Sequence, residues 1–181
     1  SKIEDAVAEA ESGDMIVVGP GVYSETVWIP KSLEFVAEKG PNFTFLDGGA
    51  LGEPVLRFES GGAITASVEQ FTFQNGNYWN NGGAVRVSGG AHVTIKACLF
   101  KDNRSAYAGG AIFVRDYPSV LEVHDCVFVG NYALWAGAAV AAVLGSESHI
   151  IGCEIAQNTC DGQSAGLQCN DGTMEVRNCL F

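Results

Sequence analysis

Apolar and polar residues alternate in short runs along most of this chain. Val93-Thr94-Ile95-Lys96-Ala97-Cys98-Leu99-Phe100 is one such run, and Ala111-Ile112-Phe113-Val114 is another. A period of two, rich in β-branched and aromatic residues, predicts strands. Gly, Asn, Asp and Ser separate the runs, as turns require. Residues 15–18, 26–29, 33–37 and 44–46 read as the first strands, with Pro20-Gly21 as a turn. The beginning departs from this pattern. Ile3, Ala6, Val7 and Ala10 share one helix face, and Ser1-x-x-Glu4 has the form of a capping box. A short helix within 1–12 is expected to plug one end of the core.

The strands recur at a fixed interval. Phe73, Phe100, Phe128 and Ile155 are separated by 27, 28 and 27 residues, and Phe181 follows after 26. Val85, Ile112, Val140 and Leu167 show the same gaps of 27, 28 and 27. A period this constant means one supersecondary unit stacked many times. Two or three strands per unit of about 27 residues, with no helix-length pattern inside it, describe a parallel β-helix. The expected fold is all-β: a single solenoid domain over 1–181 of about six coils. Its cap helix lies in 1–12, its first coils in 13–69 are less regular, and regular 26–28-residue repeats fill 70–181. Gly82-Gly83, Gly109-Gly110 and Gly137 precede the inward positions Val85, Ile112 and Val140, where the chain must bend sharply between strands. Met174 to Phe181 begins another coil with no polar cap after it, so either continuation past Phe181 or a partner stacked on that end is expected.

Two further columns are polar or sulfur-bearing. Cys98, Cys126, Cys153 and Cys179 continue the column of Phe71. They read as a ladder of small buried hydrophobes, with coil-to-coil disulfides such as Cys98 to Cys126 as the alternative. Cys160 lies in a turn and Cys169 in the column of Val87 and Val114, and these two are candidates for one bridge. Asn103, Asn131 and Asn158 mark one turn of successive coils and predict an amide ladder along the axis, with Gly76 replacing Asn in the first copy.

Composition narrows the function classes. The chain has 181 residues, 47% hydrophobic and 17% charged, with a formal net charge of −11. That charge argues against a nucleic-acid backbone or an anionic membrane surface as partner. The longest apolar stretch, Ala138 to Leu144, is far too short to insert into a bilayer. An even number of cysteines, 6, suits an oxidising compartment. None forms a C-x2-C pair, so no metal site is expected. Two sequons occur, at Asn42 and Asn103; Asn42 follows Gly40-Pro41 in a loop and is the better glycan acceptor, since the amide ladder would bury Asn103.

Gly109-Gly110-Ala111-Ile112, preceded by Phe100-x-x-Asn103, resembles the paired GGAI and FxxN motifs of the polymorphic outer-membrane protein repeat family. Gly82-Gly83-Ala84-Val85 and Phe128-x-x-Asn131 are near matches, and the likeness runs from about residue 70 to about residue 170. The resemblance implies a right-handed parallel β-helix displayed outside the cell. Ile3-x-Asp5-Ala6-Val7, Gly13 to Val18 and Pro20-Gly21-x-Tyr23-x-Glu25 are similar to the opening of many pectate-lyase-like β-helix proteins.

The outward columns hold the candidates for chemistry. Glu69, Lys96, His124, Ile151 and Arg177 form one; Gln70, Ala97, Asp125, Gly152 and Asn178 form the next. Neither sets a second carboxylate beside Asp125, and His92, His124 and His149 share no column. No catalytic residue and no cofactor is expected from this pattern. Tyr78, Trp79, Tyr107, Tyr132 and Trp135 fall in the turns between Asn and Gly and are expected to gather along one edge, as an interface or a glycan platform. The sequence thus predicts a rigid extracellular or cell-surface module for display, adhesion or assembly, whose partners are other protein surfaces, copies of itself or glycans. The alternatives are a pectate-lyase-like lyase or hydrolase of polysaccharides and a glycan-binding module.

Overall fold

The structure is a computed structural model that describes residues 2–49, 51–59 and 62–181. Its strands are laid down in parallel on four faces. The first face carries seven strands: Met15–Val18, Glu34–Ala37, Thr65–Glu69, His92–Lys96, Val120–His124, Glu147–Ile151 and Thr173–Arg177. The second carries six, among them Thr72–Gln74, Leu99–Lys101, Val127–Val129 and Glu154–Ala156. The third is narrow, with four two-residue strands: Asn77–Tyr78, Arg104–Ser105, Tyr132–Ala133 and Thr159–Cys160. The fourth carries six, including Leu56–Glu59, Val85–Ser88, Ile112–Arg115, Val140–Val143 and Leu167–Asn170. From Thr65 onward each coil visits the faces in this order, and the two coils before it pass from the second face to the fourth; the arrangement is a parallel β-helix.

Register follows the repeat. Val85 pairs with Ile112, Ile112 with Val140, and Val140 with Leu167. Phe73 pairs with Phe100, Phe100 with Phe128, and Phe128 with Ile155. A one-residue slip would turn these columns outward, so burial enforces the register. The rings of Phe73 and Phe100 stack 4.7 Å apart at 4°, and those of Phe100 and Phe128 4.8 Å apart at 5°. That is the spacing of hydrogen-bonded strands. Each of these rings is fully buried, a stabilisation of roughly 1.5–3 kcal/mol apiece. In the first coils the interval varies: Met15 pairs with Glu34, 19 residues on, and Glu34 with Ser67, 33 residues on.

The corners explain several sequence columns. Gln70, Ala97, Asp125, Gly152 and Asn178 all have positive φ, between 51° and 67°. They turn the chain from the first face to the second, so this column is conformational. In the glycine doublet the two members differ in purpose. Gly82 and Gly109 have φ of 80° and 68°. Gly83 and Gly110 sit so close to the neighbouring coil that a Cβ would lie 2.2 and 2.4 Å from a carbonyl oxygen. Gly76 departs from the Asn column for the same reason, because a Cβ there would lie 2.3 Å from the Gly83 oxygen.

The helix spans Ile3–Glu9 and buries Ile3 and Val7 against the first coil. Ser1 of the expected capping box lies outside the described residues. Lys2 is the N-cap and makes no side-chain cap bond. Glu25 caps the helix instead: Ile3 N–H donates to its Oε1 at 3.0 Å and Glu4 N–H to its Oε2 at 2.9 Å. The negative carboxylate at a helix N-terminus is favourable.

The cysteine column is a thiol ladder. Cys98, Cys126 and Cys153 are buried and Cys179 half-buried, and all six cysteines are free. Each ladder thiol reaches the carbonyl two residues before it: Lys96, His124, Ile151 and Arg177, at 3.3, 3.2, 3.4 and 3.3 Å. Burial pushes the Cys126 thiol well above its usual range. The hydrogen bond that Cys153 donates to Cys126, then burial, does the same to Cys153. The bridge considered between Cys160 and Cys169 is not formed. Cys160 belongs to the third face, where its Sγ accepts the Gly162 N–H at 3.2 Å, while Cys169 follows Ala142 in an inward column of the fourth.

Candidate functional site: an aromatic groove on the turn edge

The segment from the third face to the fourth carries the aromatic residues. It is held from beneath by the amide ladder. Asn103 Nδ2 donates to Asn131 Oδ1 at 3.0 Å, and Asn131 Nδ2 to Asn158 Oδ1 at 2.9 Å. The same amides donate to the Phe73, Phe100 and Phe128 carbonyls at 3.0 Å each. Asn103 and Asn131 are fully buried. The turn is therefore fixed at the three coils that carry Asn and, through the Gly76 N–H to Asn103 Oδ1 at 2.9 Å, at the one before them, and what it displays is presented on a stiff base. Asn42, by contrast, is exposed in a turn, while Thr44 of the same sequon is buried.

The five aromatics do not form one line. Trp79, Tyr107 and Trp135 are exposed, at 67%, 45% and 62%. Tyr78 is a correction: it is buried, because it occupies the inward column that continues as Ser105 and Ala133. Tyr132 is half covered. The Arg104 guanidinium lies 4.3 Å from its ring centre, and its hydroxyl donates to Asp161 Oδ2 at 2.7 Å. That carboxylate pushes the Tyr132 phenol up. The exposed rings fall into two groups. Trp79 stands edge-on to Tyr78 at 5.6 Å, and Tyr107 lies 5.9 Å from Trp135, one coil away, at 53°.

Two grooves run beside these groups and share Leu134. One, of about 410 Å³, lies among Trp79, Arg104 and Tyr132. The other, of about 730 Å³, lies between the Tyr107–Trp135 pair and the outer side of the fourth face, where Val143, Gln168 and Asn170 point outward. That volume is ordinary for small-ligand sites. The sequence placed the aromatics on one edge. It does not reveal the opposite wall, because Gln168 ends a column that carries Arg57 and Arg86 and turns neutral at Phe113, and Asn170 follows Arg115 and Val143 in another.

A second constellation lies on the outer side of the first face. His92 Nε2 is 3.2 Å from Glu122 Oε1, and His124 Nε2 is 3.6 Å from Glu122 Oε2. One coil on, His149 meets Glu147 at 2.9 Å and Glu175 at 3.2 Å. Burial works to raise the Glu122 carboxyl, but the hydrogen bonds and charges of His92 and His124 outweigh it and hold it below its usual range. Arg177, then His149, do the same for Glu175. The absence of a shared histidine column concealed this array. Outward residues two apart on adjacent strands meet diagonally, a signal that was readable from His92, Glu122 and His124. Among the described residues no group of three or more His, Cys, Asp and Glu side chains takes up metal-holding geometry.

No curated protein and no solved structure matches the chain. Residues 42–155 match the family described as the right handed beta helix region. That span exceeds half of the 181 residues and coincides with the coils whose register is given above. The chain belongs to the right-handed β-helix family.

Proposed function

We propose that the protein is a non-enzymatic module that works outside the cell as a rigid rod for display or adhesion, with its aromatic turn edge as the contact surface. The observation that carries this reading is the exposure of Trp79, Tyr107 and Trp135 on turns fixed by the buried amide ladder. Large exposed aromatics held on a stiff frame are costly to solubility and are typical of contact surfaces. The likeness of Gly109 to Ile112 and Phe100-x-x-Asn103 to polymorphic outer-membrane protein repeats supports placement at a cell surface. A polysaccharide-active enzyme of the pectate-lyase-like type is the second reading. The His92–Glu122–His124 cluster favours it, since imidazole beside carboxylate is acid–base chemistry.

One experiment separates the two. Immobilised protein is offered a panel of extracellular-matrix proteins and of neutral and uronate polysaccharides, with and without Ca²⁺, and both retention and new reducing ends are measured. The expected result is retention of at least one polymer, lost in the Trp79→Ala/Trp135→Ala variant, with no new reducing ends. Reproducible chain cleavage abolished by Glu122→Gln would overturn the proposal in favour of the enzyme. Retention unchanged in the double variant, or no retention at all, would also overturn it.

A further inference from the structure

We infer that the larger groove is a binding site for an uncharged saccharide, with a pyranose ring seated on Trp135 and Tyr107 and its hydroxyls held by Gln163, Gln168 and Asn170. This rests on the binding-module reading above and names its ligand class.

The platform comes first. Tyr107 and Trp135 occupy one column, since the Trp135 N–H donates to the Tyr107 carbonyl at 2.9 Å. In the following coil Gly162 lies against the Trp135 backbone and brings no side chain of its own over the ring. Gly162 is fixed by close approach, because a Cβ there would lie 2.1 Å from the Trp135 oxygen. Trp135 is left 62% exposed, with Tyr107 flanking it. A flat apolar ring face of this kind accepts the C–H face of a pyranose.

The lining also supplies polar groups. Gln163, Gln168 and Asn170 line the groove. Among the described residues their side-chain amides make no hydrogen bond to the protein. An amide both donates and accepts, which matches a hydroxyl that does the same. Asn81, also in the lining, is already engaged: its Oδ1 accepts the Ala108 N–H at 3.0 Å. Gln168 and Asn170 thus stand on the wall facing the rings, and Gln163 stands beside the platform, its N–H donating to the Trp135 carbonyl at 2.7 Å.

Charge selects the class. No charged side chain lines this groove. Of the arginines of the same face, Arg57 and Arg86 lie coils away and are tied to Glu59 at 2.6 and 2.7 Å, and Arg115, beside the lining residue Val143, is tied to Asp116 at 3.0 Å. With no cation in the lining, the neighbouring Arg115 neutralised by Asp116, and a net charge of −11 on the chain, a uronate or sulfated polymer is repelled. A proline-rich peptide also docks on aromatic grooves. Such a ligand is read by parallel aromatic ridges, whereas here two tilted rings form one platform against a wall of amides.

The test uses tryptophan fluorescence and ligand-observed NMR on the intact protein. The probes are cello-, manno- and laminari-hexaose, an oligogalacturonate, and a proline-rich decapeptide, each up to millimolar concentration. Binding of at least one neutral hexaose is expected, weakened about tenfold or more by Trp135→Ala and by Gln168→Ala. Gln168→Glu should keep the fold, checked by circular dichroism, and should not gain the oligogalacturonate. The inference is overturned if no neutral hexaose binds, if only the oligogalacturonate or the peptide binds, or if Trp135→Ala leaves the affinity unchanged. If matrix proteins are retained through the aromatic edge while no hexaose binds, the module reading stands and this one falls.

Discussion

Asn131 shows how much one side chain of this fold carries. Its amide donates to the Phe100 carbonyl and to Asn158 Oδ1, and its oxygen accepts both the backbone N–H and the side-chain amide of Asn103. All of this occurs at zero exposure. Asn131→Ala strands several buried polar groups at once, each costing about 1–3 kcal/mol. A loss of about 3 kcal/mol or more is expected in urea unfolding; a loss below about 1 kcal/mol would mean that the ladder is incidental. The cysteines give a second prediction at this scale. Cys98, Cys126 and Cys153 are buried, and Cys126 and Cys153 are held protonated, whereas Cys169 is exposed and Cys160 half-exposed. Thiolate is the reactive form. Iodoacetamide, followed by peptide mass spectrometry, should label Cys169 and Cys160 in the native protein and reach the three buried thiols only on unfolding. Early labelling of Cys126 would contradict the packing. The two ladders were legible in the sequence because inward residues recur at the coil period. Tyr78 was misplaced because a two-residue strand gives no alternation to say which member points inward.

At the scale of the element, the helix and the first face carry predictions of their own. The helix Ile3–Glu9 is only seven residues long, so its packing and its cap hold it in place. Glu25→Gln removes the charge and one of two acceptor oxygens. A cost of about 1 kcal/mol is expected, seen as a lower thermal midpoint and faster amide exchange at Ile3 and Glu4. Unchanged exchange would show that the cap is dispensable. This contact spans 21 residues, so no local spacing rule could reveal it. On the first face, Glu122 and Glu175 are held below their usual range. A carboxyl with a lowered folded pKa contributes stability that is present above its unfolded value and lost as pH falls through the folded one. The difference in thermal midpoint between wild type and Glu122→Gln should therefore be largest above about pH 5 and shrink toward about pH 3. A difference independent of pH over that window would mean that the His92–Glu122–His124 contacts contribute nothing.

For the whole molecule, the repeat describes the scaffold and not its use. Phe73, Phe100 and Phe128 recur because each coil must fill the same inward space, and such columns were readable without a structure. The groove is the opposite case. Its walls come from different coils and different faces, and its character depends on non-repeating residues: Gly162 against the Trp135 backbone, and Gln168 where Arg86 stood three coils before. Function in a solenoid of this kind is to be sought where the columns break. The most direct measurement is hydroxyl-radical footprinting of the protein with and without the polymer that it retains. Protection is predicted at Trp79, Tyr107 and Trp135, with the outer side of the first face around His92 and His124 unchanged. Protection centred on His92 and His124, with the three rings left as reactive as in the free protein, would contradict the account.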